Sequence, residues 1–428
     1  MKRHVTSYRQ RVVDAELDML LGELPAILLE GARAVGKTTT AARRATTTFR
    51  LDEPGTRAVL EADPGVLSTA PGPVLVDEWQ FVPAIWDRVR REVDEGAPPG
   101  RYLLTGSASP TPRGSHTGAG RIVSLRMRPL SLVERVDDPP TVSLKALLTG
   151  ERAPVSGTTS LTLIDYAEEI LRSGFPGVRR LTGRALRAQL DGYLERVVDR
   201  DVEELGEAVR NPTALRRWLR AYAAATGTTA SLETIREAAA AGEGHPPAKT
   251  TVLGYRDALQ RLFILDPLPA WTPSGRAIAR LSHPPKHHLA DPALAARLVG
   301  ATRGSLLRGE SPGPPIPRDG PLLGALFESL VTLSVRVYAQ AAEAAVGHFR
   351  THGGEHEVDL IVERDDGGIV AVEVKLGQAP NERAVRELRW LAGRVGDTLL
   401  DAVVVTTGSH AYRRADGIAV VPAALLGP

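Results

Sequence analysis

The chain has 428 residues, a formal net charge of +2, 43% hydrophobic residues and no cysteine. At roughly 100–200 residues per domain, this length predicts about two to four domains. The lack of cysteine excludes disulfide scaffolds, zinc fingers, iron–sulfur clusters and thiol nucleophiles. A near-neutral charge argues against a histone-like polycation.

No apolar stretch of the sequence approaches the ~18 residues of a membrane span, and the amino terminus lacks the apolar core of a secretory signal. We therefore expect a cytoplasmic protein without a membrane partner. Lysine is rare, since only six of the 53 basic residues are lysine. A lysine inside a motif therefore indicates that a compact ammonium group is needed there.

Apolar strands alternate with helical stretches over residues 1–136. Strands are predicted at 26–30, 74–77 and 102–106, with a fourth at 122–125. This alternation predicts an α/β fold in which a parallel sheet carries helices on both faces.

A glycine-rich loop follows the first strand and precedes a helix. Residues 31–38 match G-x-x-x-x-G-K-[ST], the Walker A pattern of a P-loop. Its amides would surround phosphate oxygens, Lys37 would reach the β- and γ-phosphates, and Thr38 would ligate Mg²⁺. The pattern predicts ATP and Mg²⁺ as cofactors. The expected nucleotide contacts are Gly31, Ala32, Ala34, Val35, Gly36, Lys37, Thr38 and Thr39.

Polar residues follow the next two strands. Asp77 would hold Mg²⁺, usually through water, and Glu78 would polarise the attacking water as general base. The glutamate favours ATP hydrolysis over a GTPase switch. Ser107 or Thr105 would contact the γ-phosphate, and an ordinary strand exit is the alternative.

The composition and predicted structure change twice in the middle of the chain. Residues 137–160 are rich in Pro, Thr, Gly and Ser and predict a linker or insert. Helical spacing dominates 161–301, and 213–270 would form three helices and a hairpin, as in a winged helix. Lys249 opens one helix and would contact DNA phosphates, unless the helices only transmit the nucleotide state. Residues 302–321 predict a Pro/Gly-rich linker.

The last region, 322–428, carries a hairpin pattern. Val358, Leu360 and Val362 would share one face of a strand, with Asp359, Ile361 and Glu363 on the other, and a turn-like segment follows. A loop of three or five residues would pair Glu363 with Ile369.

An acid–acid–lysine pattern lies on this hairpin. The register would place Asp359 opposite Glu373, where the two carboxylates would bind Mg²⁺ or Mn²⁺ and Lys375 would orient water. The pattern fits PD-(D/E)XK-type nucleases, and Glu328 resembles their helix acid. Arg350 would join this site. A solvated, charged strand face is the alternative.

Two groups of histidines lie in this half of the chain: His287 and His288 are adjacent, and His348, His352 and His356 are spaced four residues apart. We expect scattered surface residues rather than a metal cluster, because helical spacing fails around the last of them.

The motifs resemble, in order, the AAA+-type ATPases of prokaryotes that carry a poorly understood C-terminal domain. The segments that carry the resemblance are GARAVGKTT, LVDEWQ, GRYLLTGSAS and GRIVSLRMRPLSLVE, then RSGFPGVRR, KHHLADPALAARLVG, LFESLV and EHEVDLIVERDDGGIVAVEVKLG. The resemblance implies that Arg33, Gln80 and Arg121 lie near the nucleotide. Arg121 would act in cis or in trans on phosphoryl transfer, and a surface salt bridge is the alternative.

We therefore predict five segments: a P-loop ATPase domain (1–136), a linker or insert (137–160), a helical or winged-helix domain (161–301), a linker (302–321) and a restriction-endonuclease-like α/β domain (322–428). The ATP cycle would control the nuclease-like domain in DNA processing or defence. The alternative is a nucleotide-operated switch or DNA-binding regulator, whose inactive C-terminal domain binds a protein partner. A homo-oligomer is expected if Arg121 acts in trans.

Overall fold

The structure is a computed structural model that describes residues 8–107, 119–205, 211–241, 246–272 and 283–428. Spatial contacts between residues are concentrated within two compact units. The first unit comprises Met1–Pro129 with Arg261–Phe263, and the second comprises Leu130–Gln260 with Ile264–Pro428.

A five-stranded parallel sheet forms the centre of the first unit. Its strands are β1 (Ala26–Glu30), β2 (Thr47–Arg50), β3 (Val74–Asp77), β4 (Tyr102–Gly106) and β5 (Val123–Arg126). They lie in the order β2-β3-β4-β1-β5, and each neighbouring pair is parallel. The predicted parallel sheet and its four predicted strands are confirmed. The edge strand β2 is additional, and its alternating burial distinguishes it from the apolar central strands.

The helices of this unit are α1 (Val13–Glu23), α2 (Lys37–Ala42), α3 (Pro54–Ala62), α4 (Val66–Thr69) and α5 (Ala84–Asp94), with a 3-10 turn at Trp79–Phe81. Strands β3 and β4 are buried throughout, and Trp79 packs on Trp86 in the core beside them, with ring centroids 4.8 Å apart. Because the strands are parallel, their carboxyl ends meet at one edge of the sheet.

The described α-helices of the second unit lie mainly in its first part. They are α6 (Leu144–Leu147), α7 (Leu163–Arg172), α8 (Gly183–Arg196), α9 (Val202–Glu204), α10 (Pro212–Ala224), α11 (Leu232–Ala240), α12 (Lys249–Arg261), α13 (Pro292–Val299), α14 (Arg303–Leu307), α15 (Leu322–Ala341) and α16 (Glu382–Val395). After α10, α11 and α12, residues 264–268 pair antiparallel with 286–290. We call this pairing the hairpin; its return strand lies further along the chain than predicted.

The described strands of the second unit lie mainly at the end of the chain. They are β6 (Val142–Ser143), β7 (Gly157–Thr158), β8 (Ala345–Arg350), β9 (Glu357–Glu363), β10 (Ile369–Val374), β11 (Leu399–Thr406), β12 (His410–Arg413), β13 (Ala419–Pro422) and β14 (Leu426–Gly427). Seven of them form a sheet in the order β7-β12-β13-β11-β10-β9-β8, and β14 pairs with β6. The predicted register is confirmed, because Glu363 pairs with Ile369 across a five-residue loop.

The two compact units join segments that the sequence treats separately. Strands β6 and β7, in the predicted linker 137–160, pair with β14 and β12. The predicted linker 302–321 contains α14. The hairpin continues into the C-terminal sheet, since the Trp271 amide donates to the His348 carbonyl at 2.6 Å. The middle and C-terminal regions therefore form one unit, in which each satisfies backbone groups of the other.

Helix α15 lies in the core of the second unit. An 18-residue window of this 20-residue helix has a mean hydropathy of 1.4, enough in length and composition to cross a membrane, but 72% of that window is buried inside the protein. This apolar stretch was not predicted from the sequence. Its apolar surface is covered by α7, α13 and the sheet.

Three histidines are buried rather than exposed. His287, His288 and His348 lie on the hairpin and on β8, and each is less than 5% exposed. His356 stacks on Trp390, with ring centroids 3.8 Å apart. The expectation of surface positions is therefore wrong for these three, because backbone pairing draws their strands into the interior.

A buried ion pair joins distant segments of the second unit. Arg135 Nη2 lies 3.3 Å from Asp291 Oδ2, and both side chains are fully buried. The same carboxylate accepts the Gly174 amide at 2.5 Å. A Cβ on Gly174 would lie 2.3 Å from Arg135 Nη2, so only glycine allows this contact.

We expect Asp291→Asn to lower the free energy of unfolding by about 3–5 kcal/mol, because it removes the carboxylate that balances the buried Arg135 charge and leaves that charge with backbone carbonyl partners. Asparagine retains the helix cap that Asp291 provides to Ala293. As a control, Asp191→Asn breaks the partly exposed pair with Arg297 and should cost less than about 1 kcal/mol. Chemical denaturation measures both; equal losses would contradict the expectation.

Candidate functional site

The glycine-rich loop joins β1 to α2 at the carboxyl edge of the first sheet. Gly36 has a φ of 104°, in the left-handed region that favours glycine. A Cβ on Gly31 would lie 2.1 Å from the Met127 carbonyl oxygen. Both glycines of the motif are therefore required by the backbone. Of the other loop residues, Ala32 and Val35 are buried, whereas Ala34 and Thr39 are exposed.

Lys37 is held inside this loop. Its Nζ donates to the Gly31 carbonyl at 2.8 Å and to the Ala32 carbonyl at 2.9 Å. Burial lowers the pKa of Lys37 to about 8, against the opposing effect of the Glu78 and Asp77 carboxylates. The ammonium group is thus poorly solvated and would gain strong partners from phosphate oxygens.

The two predicted magnesium ligands of the nucleotide site lie together. Thr38 Oγ1 donates to Asp77 Oδ1 at 2.7 Å, and the Thr105 hydroxyl donates to the same oxygen. A hydroxyl and a carboxylate are the hard oxygen donors that Mg²⁺ prefers. These residues therefore fit Mg²⁺ beside a bound nucleotide.

Glu78 lies in a polar network next to this pair. Its carboxylate accepts from the Ser107 hydroxyl at 3.1 Å and from the Gln80 amide. Arg33 Nε donates to Ser107 Oγ at 3.4 Å. The backbone of Glu78 is left-handed, with a φ of 57°, a strain that often accompanies function. The structure thus brings together residues that the sequence predicted separately.

Arg121 does not join these residues. Its Nε donates to Asp94 Oδ1 at 2.8 Å, and both side chains are well exposed. It precedes β5, whose amino end lies at the opposite edge of the parallel sheet from the loop. A role in cis is therefore wrong and the salt bridge is observed, whereas a role in trans stays a prediction.

Two further arginines at this edge escaped the sequence analysis. Arg11 donates to the Val35 carbonyl at 2.8 Å and to the Arg128 carbonyl at 2.7 Å, so it fixes the back of the loop. Arg126 lies opposite Glu30 at the end of β5. Its position at a predicted strand end was a usable signal, whereas nothing in the sequence singles out Arg11.

A second polar cluster lies in the second unit. We call it the acid–lysine cluster: Lys286, Glu328, Glu357, Asp359, Glu373 and Lys375. Lys286 Nζ lies 2.9 Å from Glu328 Oε1, 2.7 Å from Glu357 Oε1 and 2.9 Å from Asp359 Oδ1. Lys375 Nζ lies 2.5 Å from Glu373 Oε2 and 3.3 Å from Asp359 Oδ2.

The elements explain this convergence. Alternation along β9 points Glu357 and Asp359 to one face, and the register brings Glu373 on β10 beside them. The Val374 amide donates to Asp359 Oδ2 at 2.9 Å. Helix α15 supplies Glu328, and the hairpin supplies Lys286.

Burial acts differently on the carboxyl groups of the cluster. Burial raises the pKa of Glu328 to about 7 despite the Lys286 charge. Burial would also raise the pKa of Asp359, but the Lys286 and Lys375 ammonium groups hold it well below its usual range. Asp359 is therefore the ionised carboxylate between the two lysines.

The predicted metal ligands Glu328, Asp359 and Glu373 each contact a lysine ammonium group. Among the described residues, no group of three or more His, Asp or Glu side chains is arranged to hold a metal. The predicted Mg²⁺ or Mn²⁺ site therefore does not fit, because Lys286 lies between the carboxylates. Lys286 was not predicted to join this cluster, although it is one of six lysines and opens the segment KHHLADP.

An open groove of about 810 Å³ lies over this cluster. Its lining includes Arg318, Arg350 and Arg383 beside Lys375. Arg350 Nη1 donates to the Thr229 hydroxyl at 3.1 Å, so residues before α11 also border the groove. None of the described residues that line it is aromatic.

Three family models match separate parts of the chain. One described as an AAA domain matches residues 23–136. Two domains of unknown function match 163–305 (DUF8612) and 323–426 (DUF4143). The region that carries the nucleotide loop is therefore similar to an AAA domain, in keeping with its Walker A pattern. The other two matches assign no activity.

Similar proteins cover most of the chain. The uncharacterized proteins Mb2031c of Mycobacterium bovis and Rv2008c of Mycobacterium tuberculosis are each 28% identical over 97% of this chain and 83% of their own. The Walker-type ATPase PABY2304 of Pyrococcus abyssi is 18% identical over 69% of this chain and 97% of its own, with a TM-score of 0.40. The Aeropyrum pernix ORC2 protein in its ADPNP–ADP complexes is 15% identical over 70% and 95%, with a TM-score of 0.30. At these TM-scores neither structure assigns the fold.

Proposed function

We propose that the first unit binds ATP with Mg²⁺ and hydrolyses it. The observation that carries this proposal is the convergence of Lys37, Thr38, Asp77, Glu78 and Ser107 at one edge of the parallel sheet. The match of residues 23–136 to an AAA domain supports it.

Each side chain has a distinct task in this proposal. Lys37 exchanges its two carbonyl partners for the β- and γ-phosphates. Mg²⁺ beside Thr38 and Asp77 offsets phosphate charge when it is bound. Glu78 accepts the proton of the attacking water, and its hydrogen bond from Ser107 keeps the carboxylate in place. Glu78 is thus oriented before the nucleotide binds.

Lys37→Ala should lower ATP turnover by at least about a hundredfold, because it removes the ammonium group that would contact the β- and γ-phosphates. The exposed Lys145→Ala is the matched control and should leave turnover unchanged. Phosphate release measures turnover, and circular dichroism checks the fold. Turnover retained by a folded Lys37→Ala protein would refute the loop assignment.

Glu78→Gln should separate binding from hydrolysis. Glutamine keeps the size and the polar contacts but cannot take the proton, so turnover should fall about 10²–10⁴-fold while ATP affinity changes little. The exposed Glu61→Gln is the control. Fluorescent-nucleotide titration measures affinity. An equal loss of affinity and turnover would make Glu78 a binding residue instead of the base.

We infer a second function for the groove of the second unit: it binds the phosphate backbone of DNA, and the ATP cycle changes its affinity. The arginines of its lining, which also includes six acidic side chains, support this inference. None of the described lining residues is aromatic, which indicates backbone contacts without base stacking. Since Lys286 fills the predicted metal position, the groove favours the DNA-binding regulator over the nuclease. A role in DNA processing or defence and a protein partner remain compatible with it.

DNA affinity should fall steeply with salt, because phosphate contacts release counterions. Arg383→Ala, at the exposed rim, should weaken binding and reduce the salt slope by about 1. Arg308→Ala, equally exposed but outside the groove, is the control. Fluorescence anisotropy measures affinity, and Glu78→Gln with and without ATP tests the coupling.

The same titration separates the groove from the middle helices. Lys249 is 76% exposed at the start of α12, where the winged-helix interpretation places DNA. Binding that is weakened by Lys249→Ala but not by Arg383→Ala would move the interface to α12. A flat salt response would exclude DNA at either place.

A further inference from the structure

We propose that Lys286 is the resident cation of the acid–lysine cluster. Its ammonium group takes the place of a divalent metal and holds Glu328, Glu357 and Asp359 together. The cluster is then a metal-independent site, in which Lys286 is buried and Lys375 is the more exposed of the two lysines. This proposal depends neither on ATP hydrolysis nor on DNA binding.

The hydrogen-bonding capacity of Lys286 is fully used. An ammonium group has three N–H donors. Its Nζ meets one oxygen each of Glu328, Glu357 and Asp359, at 2.9, 2.7 and 2.9 Å. Mg²⁺ requires oxygens at about 2.1 Å in near-octahedral geometry. The ion and Nζ therefore cannot share this space.

The backbone keeps Lys286 in this position. Its amide donates to the Leu268 carbonyl at 3.0 Å, and its carbonyl accepts from the Leu268 amide at 2.9 Å. The next amide, of His287, donates to the Thr228 carbonyl at 2.9 Å on the other side. The strand is thus paired on both sides, and its lysine is 2% exposed. A metal that displaced Lys286 would leave a buried ammonium without partners, which is costly.

The charges of the cluster are already close to balance. Its four carboxyl groups belong to Glu328, Glu357, Asp359 and Glu373, and the cations that contact them are Lys286, Lys375 and Arg350. Four possible negative charges face three positive ones. A divalent ion in addition would give the buried cluster a net positive charge. The carboxylates are already largely neutralised by the three cations, so they would attract such an ion only weakly.

The choice of lysine fits this role. Three carboxylates approach Nζ from α15 and from two positions on β9. A tetrahedral ammonium can donate to three such oxygens, whereas the planar arginine fork favours bidentate pairing with one carboxylate. Arginine is the default cation of this chain, yet lysine stands at 286.

Manganese binding tests the proposal. Every protein is the full chain carrying Asp77→Asn, which removes the candidate metal ligand of the nucleotide site. Each is titrated with Mn²⁺ alone, and free Mn²⁺ is followed by electron paramagnetic resonance. With Lys286 intact, adding Asp359→Asn should not change the isotherm, because no ion enters the cluster.

Lys286→Met should reveal a latent metal site. Methionine removes the charge and leaves three carboxylates around apolar space, so we expect one additional Mn²⁺ per chain, lost again when Asp359→Asn is added. Mn²⁺ should also raise the Tm of Lys286→Met and leave that of the Lys286 protein unchanged.

Two results would overturn the proposal. One is an Mn²⁺ bound with Lys286 intact and abolished by Asp359→Asn. The other is a folded Lys286→Met protein that gains no Mn²⁺. If Lys286→Met does not fold, the Mn²⁺ isotherms of the two proteins that retain Lys286, with and without Asp359→Asn, still test the proposal.

Discussion

The second unit depends on one buried ammonium group. Lys286 comes from the hairpin, whereas its partners come from α15 and β9, 42 and 73 residues further along the chain. Buried charges are tolerated only when they are paired and hydrogen-bonded. The hairpin, the core helix and the sheet must therefore meet in one arrangement, and the middle and C-terminal regions form a single unit as a consequence.

The same residue type serves the opposite purpose in the first unit. Lys37 is held by two backbone carbonyls, and burial lowers its pKa to about 8. For Lys286, three carboxylates outweigh the effect of burial and raise the pKa above its ordinary value. Lys37 can thus gain energy from an arriving phosphate, whereas Lys286 cannot. The first lysine is suited to a ligand that comes and goes, and the second to permanent charge balance.

Local sequence patterns predicted the features that local physics controls. The apolar strands, the glycine loop and the register of Glu363 on Ile369 follow from periodicity and turn length. Contacts between residues far apart in the sequence could not be predicted from these patterns. Lys286 contacts Asp359, and Arg11 donates to a carbonyl of the glycine loop, only because the fold brings these residues together. Arg121 shows the limit of a motif, because its place before β5 puts it at the wrong edge for a role in cis.

The groove belongs to both parts of the second unit. Its floor comes from the C-terminal sheet, whereas Thr229 comes from the segment before α11 and Lys286 from the hairpin. Arg350 bridges them, since it contacts Glu357 on β9 and Thr229 before α11. A shift of α11 or of the hairpin would therefore move the cations of the groove directly. A movement of these helices could therefore change the groove without a chain of intermediate residues inside the unit, because helix residues line the groove directly.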